Sequence, residues 1–165
     1  MASTSTAESG SKELKTNPRG IPHAPFVSDI EHHIGGPEAE CESALRQFQE
    51  AVSKYRYMEL NLNQRKSGLE EKIPDIKKSL SVVEHLISQA NVMLAYKLPE
   101  AQELLTSKLS SAQQNISNVI EDLEFLREQI TIMEVNTARV YNWDVRRRRL
   151  RREAEAAGKV APDPE

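Results

Sequence analysis

The sequence predicts an all-α fold, an antiparallel two-helix coiled-coil hairpin with disordered termini. Apolar residues recur at alternating steps of three and four along two long stretches of the chain. A 3.5-residue apolar repeat makes a narrow stripe, which a helix buries by wrapping around a partner. Only residues 89–98 separate the two stretches, so the helices are expected to fold back on each other as one hairpin over residues 37–157.

The first 36 residues are predicted to form a disordered arm. They are mostly small and polar, with one apolar patch around Phe26 and Val27. Gly35 and Gly36 interrupt the chain before Pro37, and proline suits the first position of a helix.

The first helix is predicted over residues 37–88. Glu59 and Lys66 interrupt its apolar seam, and Pro74 lies beside the seam and is expected to bend the helix. The seam positions that define its core are Leu62, Leu69, Ile73, Ile76 and Leu80.

The connector, residues 89–98, contains a short strand-like run made of Val92, Met93, Leu94, Ala95 and Tyr96. The second helix is predicted over residues 99–157, with Pro99 in its first turn, and residues 158–165 as a disordered tail. Its seam positions are Val119, Leu123, Leu126 and Ile130.

Charges across the seam suggest a register in which Ile73 lies opposite Val119. The same alignment places Arg56 beside Glu134 and sets Lys72 beside Asp122. Exposed ion pairs of this kind select a register more than they stabilise the fold.

Composition limits the possible partners and compartments. With 38% hydrophobic and 28% charged residues and a net charge of −3, the chain has no general attraction to nucleic acid or to an anionic membrane. We therefore expect neither as a partner. A single cysteine, Cys41, excludes an internal disulfide, and the start of the chain lacks the apolar run of a secretory signal. A cytoplasmic location is expected, with the nucleus as a second compartment.

The sequence contains no phosphate-binding glycine loop, nucleophile elbow or paired-cysteine metal site. His32 and His33 are adjacent and cannot share one helical face, so exposed linker positions are a better interpretation than a metal site with Cys41. We therefore assign no catalytic, cofactor-binding or metal-binding residues, and we do not expect an enzyme.

An apolar and aromatic surface is predicted at one end of the rod, where the second seam runs out. Because the hairpin is antiparallel, the arm patch and the start of the first helix reach the same end. Two interpretations are open: a plug that holds the tips together, and an adaptable surface for apolar segments of other proteins. The candidate tip residues are Phe26, Val27, Leu45, Phe48, Val140, Tyr141, Trp143 and Val145.

An arginine cluster, residues 146–149 with 151 and 152, follows the aromatic tip. It is interpreted as a solvated helix end that complements the helix dipole. The alternative is a nuclear address or a nucleic-acid patch.

Several stretches resemble the subunit 3 branch of the prefoldin family, whose members are α-class subunits. The resemblance covers most of residues 20–149. It is carried by GIP (20–22), FV (26–27), KYRYMELNL (54–62), IPDIK (73–77), ANVMLAY (90–96), EAQ (100–102), EDLEFLR (121–127) and ARVYNWDV (138–145).

The resemblance implies a function that composition alone does not. Prefoldin is a heterohexameric co-chaperone of two α-class and four β-class subunits. Its coiled-coil tips hold unfolded or nascent polypeptides, notably actin and tubulin, and transfer them to the cytosolic chaperonin without ATP. The implied partners are therefore other prefoldin subunits, unfolded actin and tubulin, and the chaperonin.

The chain departs from this family in one respect. α-class prefoldin subunits carry two β-hairpins between their helices, which join the subunits, whereas here the first helix leads almost directly into residues 92–96. We expect the central assembly region to be missing. The alternative function is accordingly a structural coiled-coil protein, or an assembly-defective prefoldin form without client activity.

Overall fold

The computed structural model describes residues 15–89 and 97–158, which form three α-helices. These are α1 (Ile30–Ile34), α2 (Glu42–Gln89) and α3 (Leu98–Gly158). Within those ranges no strand is present, and a single isolated bridge joins Thr16 to Pro22. The predicted all-α hairpin is confirmed, because the two long helices α2 and α3 pack against each other. None of the helices described is both long and apolar enough to span a membrane.

The helix boundaries differ from the prediction mainly at the start of α2, which begins at Glu42 instead of Pro37. Gly35 and Gly36 have φ angles of 104° and 120°, a conformation that side chains with a Cβ rarely adopt. They end α1 and turn the chain before α2 can begin. The other boundaries agree within one residue, and Pro99 lies in the first turn of α3 as predicted. α2 continues through Pro74.

Three predicted segments lie wholly or largely outside the described residues. They are the first fourteen residues of the arm, the strand-like run of residues 92–96, and the tail after Gly158.

Residues 15–36 were predicted to belong to a disordered arm, and that prediction is wrong for them. They lie along the two long helices, and Ala24, Val27 and Ile30 are buried in the core. The arm runs parallel to α3, because Asn17, Ala24 and Val27 contact successively later positions on that helix. The physical reason is that α3 supplies hydrogen-bond partners for the arm backbone as well as apolar surface.

The two seams differ in how deeply they are buried. The α3 seam residues Val119, Leu123, Leu126 and Ile130 are buried, whereas the α2 seam residues Leu62, Leu69, Ile73, Ile76 and Leu80 are half-buried. At one end of the rod the arm adds a third layer, and towards the connector only two helices share the seam. Two helices bury little more than a stripe.

The predicted register is correct at one charge pair and wrong at the other. Arg56 and Glu134 form an ion pair with a 2.7 Å separation between Nη2 and Oε1. Asp122 is buried and does not pair with Lys72. Its Oδ1 accepts hydrogen bonds from Asn17 Nδ2 at 2.8 Å and from Arg19 Nε at 2.5 Å. The arm therefore occupies the position that the sequence assigned to a lysine of α2.

Candidate functional site

The candidate site is the end of the rod at which α2 begins, which we call the arm end because residues 15–36 pack there. Its buried core draws side chains from three segments: the arm, the first turns of α2, and α3. The buried members include Val27, Phe48, Tyr55, Leu126, Ile130, Met133 and Val140.

A row of polar side chains on α3 holds the arm. Asp122, Gln129 and Asn136 are spaced seven residues apart, so they lie on one face of the helix next to the seam. All three are buried. Buried polar groups of this kind require hydrogen-bond partners, and each finds its partner in the arm.

Asn136 makes the most complete of these contacts. It is 0% exposed. Its Oδ1 accepts from the Val27 amide at 3.0 Å, and its Nδ2 donates to the Pro25 carbonyl at 2.7 Å. Two turns earlier, Gln129 Oε1 accepts from the Ala24 amide at 2.7 Å. Together the two side-chain amides bind two backbone N–H groups and one backbone carbonyl of the arm.

Two further side chains complete the backbone contacts. The Tyr55 hydroxyl, from α2, donates to the Pro22 carbonyl at 2.8 Å. The Arg139 guanidinium donates to the carbonyls of Val27 and Ser28, the latter at 2.8 Å. The arm is thus clamped between both long helices through its main chain.

At its beginning the arm makes a small turn that α3 fixes in place. Asn17 Oδ1 accepts from the amides of Arg19 and Ile21, and Gly20 turns the chain with a φ of 88°. The Arg19 side chain donates to Asp122 and to Glu121. These carboxylates raise the pKa of the Arg19 guanidinium, Asp122 having the larger effect.

The arginine cluster was interpreted as a solvated helix end that complements the dipole. Most of its members are exposed, but the last turn of α3 itself contains no basic residue. Arg147 contacts Asp144 at 2.8 Å and donates to the carbonyls of Pro37 and Ala39. Arg151 pairs with Glu38. Part of the cluster therefore anchors the turn between α1 and α2.

The eight tip candidates divide into three groups. Val27, Phe48 and Val140 are buried, and Leu45 and Trp143 are half-buried. The remaining three, Phe26, Tyr141 and Val145, are exposed. The buried residues pack between the ends of the helices, as the first interpretation requires. The exposed residues leave apolar surface in solvent, as the second requires.

Cations cover two of the tip aromatics. The Arg139 guanidinium lies 5.0 Å from the centroid of the Phe26 ring, and that of Arg147 lies 4.6 Å from the centroid of Trp143. At exposed sites a contact of this kind is worth roughly 0.5–1 kcal/mol.

An open groove lies between α2 and α3 on the side of the seam away from the arm. It has a volume of about 740 Å³ and is mostly apolar, with Val52 on one wall and Thr137, Ala138 and Tyr141 on the other. The Arg56–Glu134 ion pair crosses it. The two helices therefore have one side filled by the arm and one side open.

The histidines predicted as linker positions are exposed, and the His33 ring stacks on Phe48 at 5.6 Å between centroids. Within residues 15–89 and 97–158, no group of three or more His, Cys, Asp or Glu side chains is arranged to hold a metal ion.

Burial shifts two pKa values in the core of the arm end. Burial, followed by the neighbouring Asp144 carboxylate, raises the pKa of the Cys41 thiol. Burial also raises the pKa of Tyr55. A pKa that is higher in the folded chain stabilises the fold below the ordinary value of that group, and this contribution is lost as pH rises through the folded value.

We therefore expect the stability of the arm end to fall in alkaline solution, above about pH 9. Tyr55→Phe should lower stability at neutral pH by about 1 kcal/mol, because the hydrogen bond to Pro22 is lost. It should also flatten the alkaline decline, because a phenyl ring does not ionise. Thermal melts from pH 7 to 10.5 would measure both effects. The exposed Tyr57 provides the matched control, since Tyr57→Phe should change neither; an equal effect of the two variants would contradict the assignment.

Sequence reasoning missed the polar row of Asp122, Gln129 and Asn136. The sequence carries no distinguishing signal for it, because polar residues are normal at the heptad positions that flank a coiled-coil seam. Only the presence of a third segment makes these three positions buried.

Comparison with known proteins gives consistent matches. A family model described as prefoldin subunit matches residues 89–143. Prefoldin subunit 3 of Elsinoe fawcettii is 43% identical over 87% of this chain and 90% of its own length. Prefoldin subunit 3 of Mus musculus is 38% identical over 78% of this chain and 84% of its own. The probable prefoldin subunit 3 of Schizosaccharomyces pombe is 40% identical over 79% and 94%. No solved structure matches significantly.

The lengths of these alignments carry further information. The alignment with the Elsinoe fawcettii protein spans 178 residues, more than the 165 residues of the whole chain, and uses 87% of it. That share is roughly 144 residues, so the relative has roughly 34 residues in the span that this chain lacks. This agrees with a missing segment of the size of two β-hairpins.

Proposed function

This chain belongs to the prefoldin family, and from that premise we propose that its arm end binds unfolded polypeptides. Membership makes it a homologue of a chaperone-complex subunit, with other prefoldin subunits as its partners. The proposed clients are unfolded actin and tubulin, passed to the cytosolic chaperonin without ATP, in the cytoplasm and with the nucleus as a second location.

The observation that carries the proposal is the exposed apolar surface at the arm end. Tyr141 is 63% exposed and forms one wall of the open groove. Val145 and Leu150 continue the exposed surface along α3. An apolar surface rimmed by charges suits the capture of apolar segments, because contact removes apolar area from water. This gain does not depend on a particular sequence in the captured segment.

The proposal predicts that Tyr141→Ala, combined with Val145→Ala, weakens client holding without unfolding the chain. Both side chains are exposed, so their loss should change stability by no more than about 0.5 kcal/mol. Light scattering of actin diluted from denaturant measures holding, and at least a threefold rise in the chain concentration needed for protection is expected.

The matched control is Leu104→Ala. Leu104 is 57% exposed and lies on the same helix near the connector, far from the arm end. It should leave holding unchanged. Trp143→Ala is a poorer test, because Trp143 packs against the core and its loss also affects folding. Equal protection by the wild-type chain and the double variant would overturn the proposal.

A second candidate function follows from the missing segment and the half-buried α2 seam. A chain that lacks about 34 residues of its relatives and leaves that seam half-exposed suits a structural coiled coil or an assembly-defective form. In that case the chain would show no protection of unfolded actin at any concentration.

A further inference from the structure

We propose that the trough occupied by residues 21–30 is a binding site for extended, proline-containing apolar segments, and that the arm is its displaceable resident occupant. We call this trough the arm groove; its walls are Phe48 and Tyr55 of α2 and Gln129, Asn136 and Arg139 of α3. The inference goes beyond the proposed function, because it places a second binding surface at the arm end, on the side of the seam opposite the open groove.

The first support is the way in which the groove contacts the arm. Tyr55, Gln129, Asn136 and Arg139 all bind main-chain groups of residues 22–28. Side chains that bind backbone recognise a conformation and tolerate many sequences. A site with this property could accept another extended segment in place of the arm.

The second support is the spacing of the arm side chains. Ile21 is half-buried, and Ala24, Val27 and Ile30 are buried, so every third residue faces the helices. A polyproline II helix has three residues per turn, and the prolines at positions 22 and 25 favour that conformation. The preferred occupant is therefore a segment with small or branched apolar residues at every third position and prolines between them.

The third support is that the two sides of the arm differ. His23, Pro25 and Phe26 are exposed, so the arm buries only a strip of its surface. The seam between α2 and α3 includes Leu126, Ile130 and Val140, which belong to one buried cluster with residues of α2 and of the arm. Displacing the arm should therefore uncover an apolar groove while leaving the helical hairpin in place.

The test measures binding of a fluorescein-labelled peptide with the sequence of residues 17–34 to the full chain by fluorescence anisotropy. In the wild-type chain the tethered arm competes at a high effective concentration. Val27→Asp with Ile30→Asp should release the arm, since each places a charge against the core. The peptide should then bind at least tenfold more tightly than to the wild-type chain.

Two controls separate groove binding from general stickiness. Asn136→Leu, added to the arm-released chain, should return the affinity to the wild-type level, because the partners of Val27 and Pro25 are removed. Asn142→Leu provides the matched control at an exposed position six residues further on, and should leave the affinity unchanged. A peptide carrying the same two aspartates should bind at least tenfold more weakly.

Circular dichroism would verify that the arm-released chain keeps its helices. If that variant unfolds, displacement of the arm can be measured in the ¹⁵N-labelled wild-type chain instead. The measured quantity is the hydrogen-exchange rate of the Ala24 and Val27 amides, with and without millimolar unlabelled peptide. The expected result is faster exchange with peptide, because the peptide displaces the arm.

No gain in peptide affinity in the folded variant, or no change in amide exchange, would overturn the inference and leave the arm a permanent third layer. The proposed function has a separate test. It would fail if the wild-type chain bound the peptide in the arm groove but did not protect unfolded actin.

Discussion

Leu123→Asp should abolish cooperative folding of the chain at room temperature. Leu123 is 3% exposed and lies in the α3 seam, at the level where the arm begins its contact with the helix. The substitution removes a buried leucine, which costs about 2–5 kcal/mol, and buries a carboxylate without a partner, which adds several more. A thin rod is expected to have a free energy of unfolding near the low end of the usual range of about 5–15 kcal/mol. Circular dichroism melts would measure the loss.

Substitutions at two other seam positions should cost less stability than Leu123→Asp. Leu69 is half-buried, so Leu69→Asp should destabilise strongly but less than Leu123→Asp. Lys66 occupies a seam position, yet its ammonium reaches Glu70 at 3.9 Å on the exposed flank. Lys66→Ala should therefore be mild or slightly stabilising. Equal losses for all three variants would show that the register is wrong.

A stable prefoldin hexamer should not form with this chain, or should form far more weakly than with a longer relative. The family resemblance implies that strand pairing between subunits supplies the backbone hydrogen bonds of assembly, and the chain lacks roughly 34 residues that the Elsinoe fawcettii relative has. The apolar run of residues 92–96, which the sequence predicts to be strand-like, would offer only one short edge for pairing with a neighbour's sheet. Five residues would bury little area. Co-purification with tagged partner subunits measures the effect.

The matched control is a chimera in which the additional residues of the Schizosaccharomyces pombe relative are placed between Gln89 and Lys97. It should recover assembly while leaving the arm end unchanged. Stoichiometric recovery of the unmodified chain in a hexamer would show instead that the short connector is sufficient.

Local periodicity predicted the long helices well, because a heptad pattern repeated over many turns determines which residues face a partner. Arg56 and Glu134 were paired correctly for the same reason, since one register satisfied both seams. The arm was not predictable in this way. Its order depends on partners more than 100 positions away, such as Gln129 for Ala24 and Asn136 for Val27.

The burial of the tip residues was likewise not predictable from local periodicity. Their apolar character predicted that Phe48, Val140 and Tyr141 would lie at one end of the rod. Which of them faces solvent depends on the path of the arm, so sequence left the plug and the binding surface as open alternatives. The structure assigns the first two to the core and the third to the surface.

The polar row on α3 has a geometric consequence for how the length of this rod can vary. From Gln129 to Asn136 the helix rises about 10.5 Å, at about 1.5 Å per residue. The arm covers the same interval from Ala24 to Val27, and three extended residues advance about 9–10 Å. Seven helical residues and three arm residues therefore span nearly the same length along the rod. A single residue inserted in either segment would put the two out of step. Adding seven residues to each long helix and three to the arm would lengthen the rod and preserve the contacts on either side.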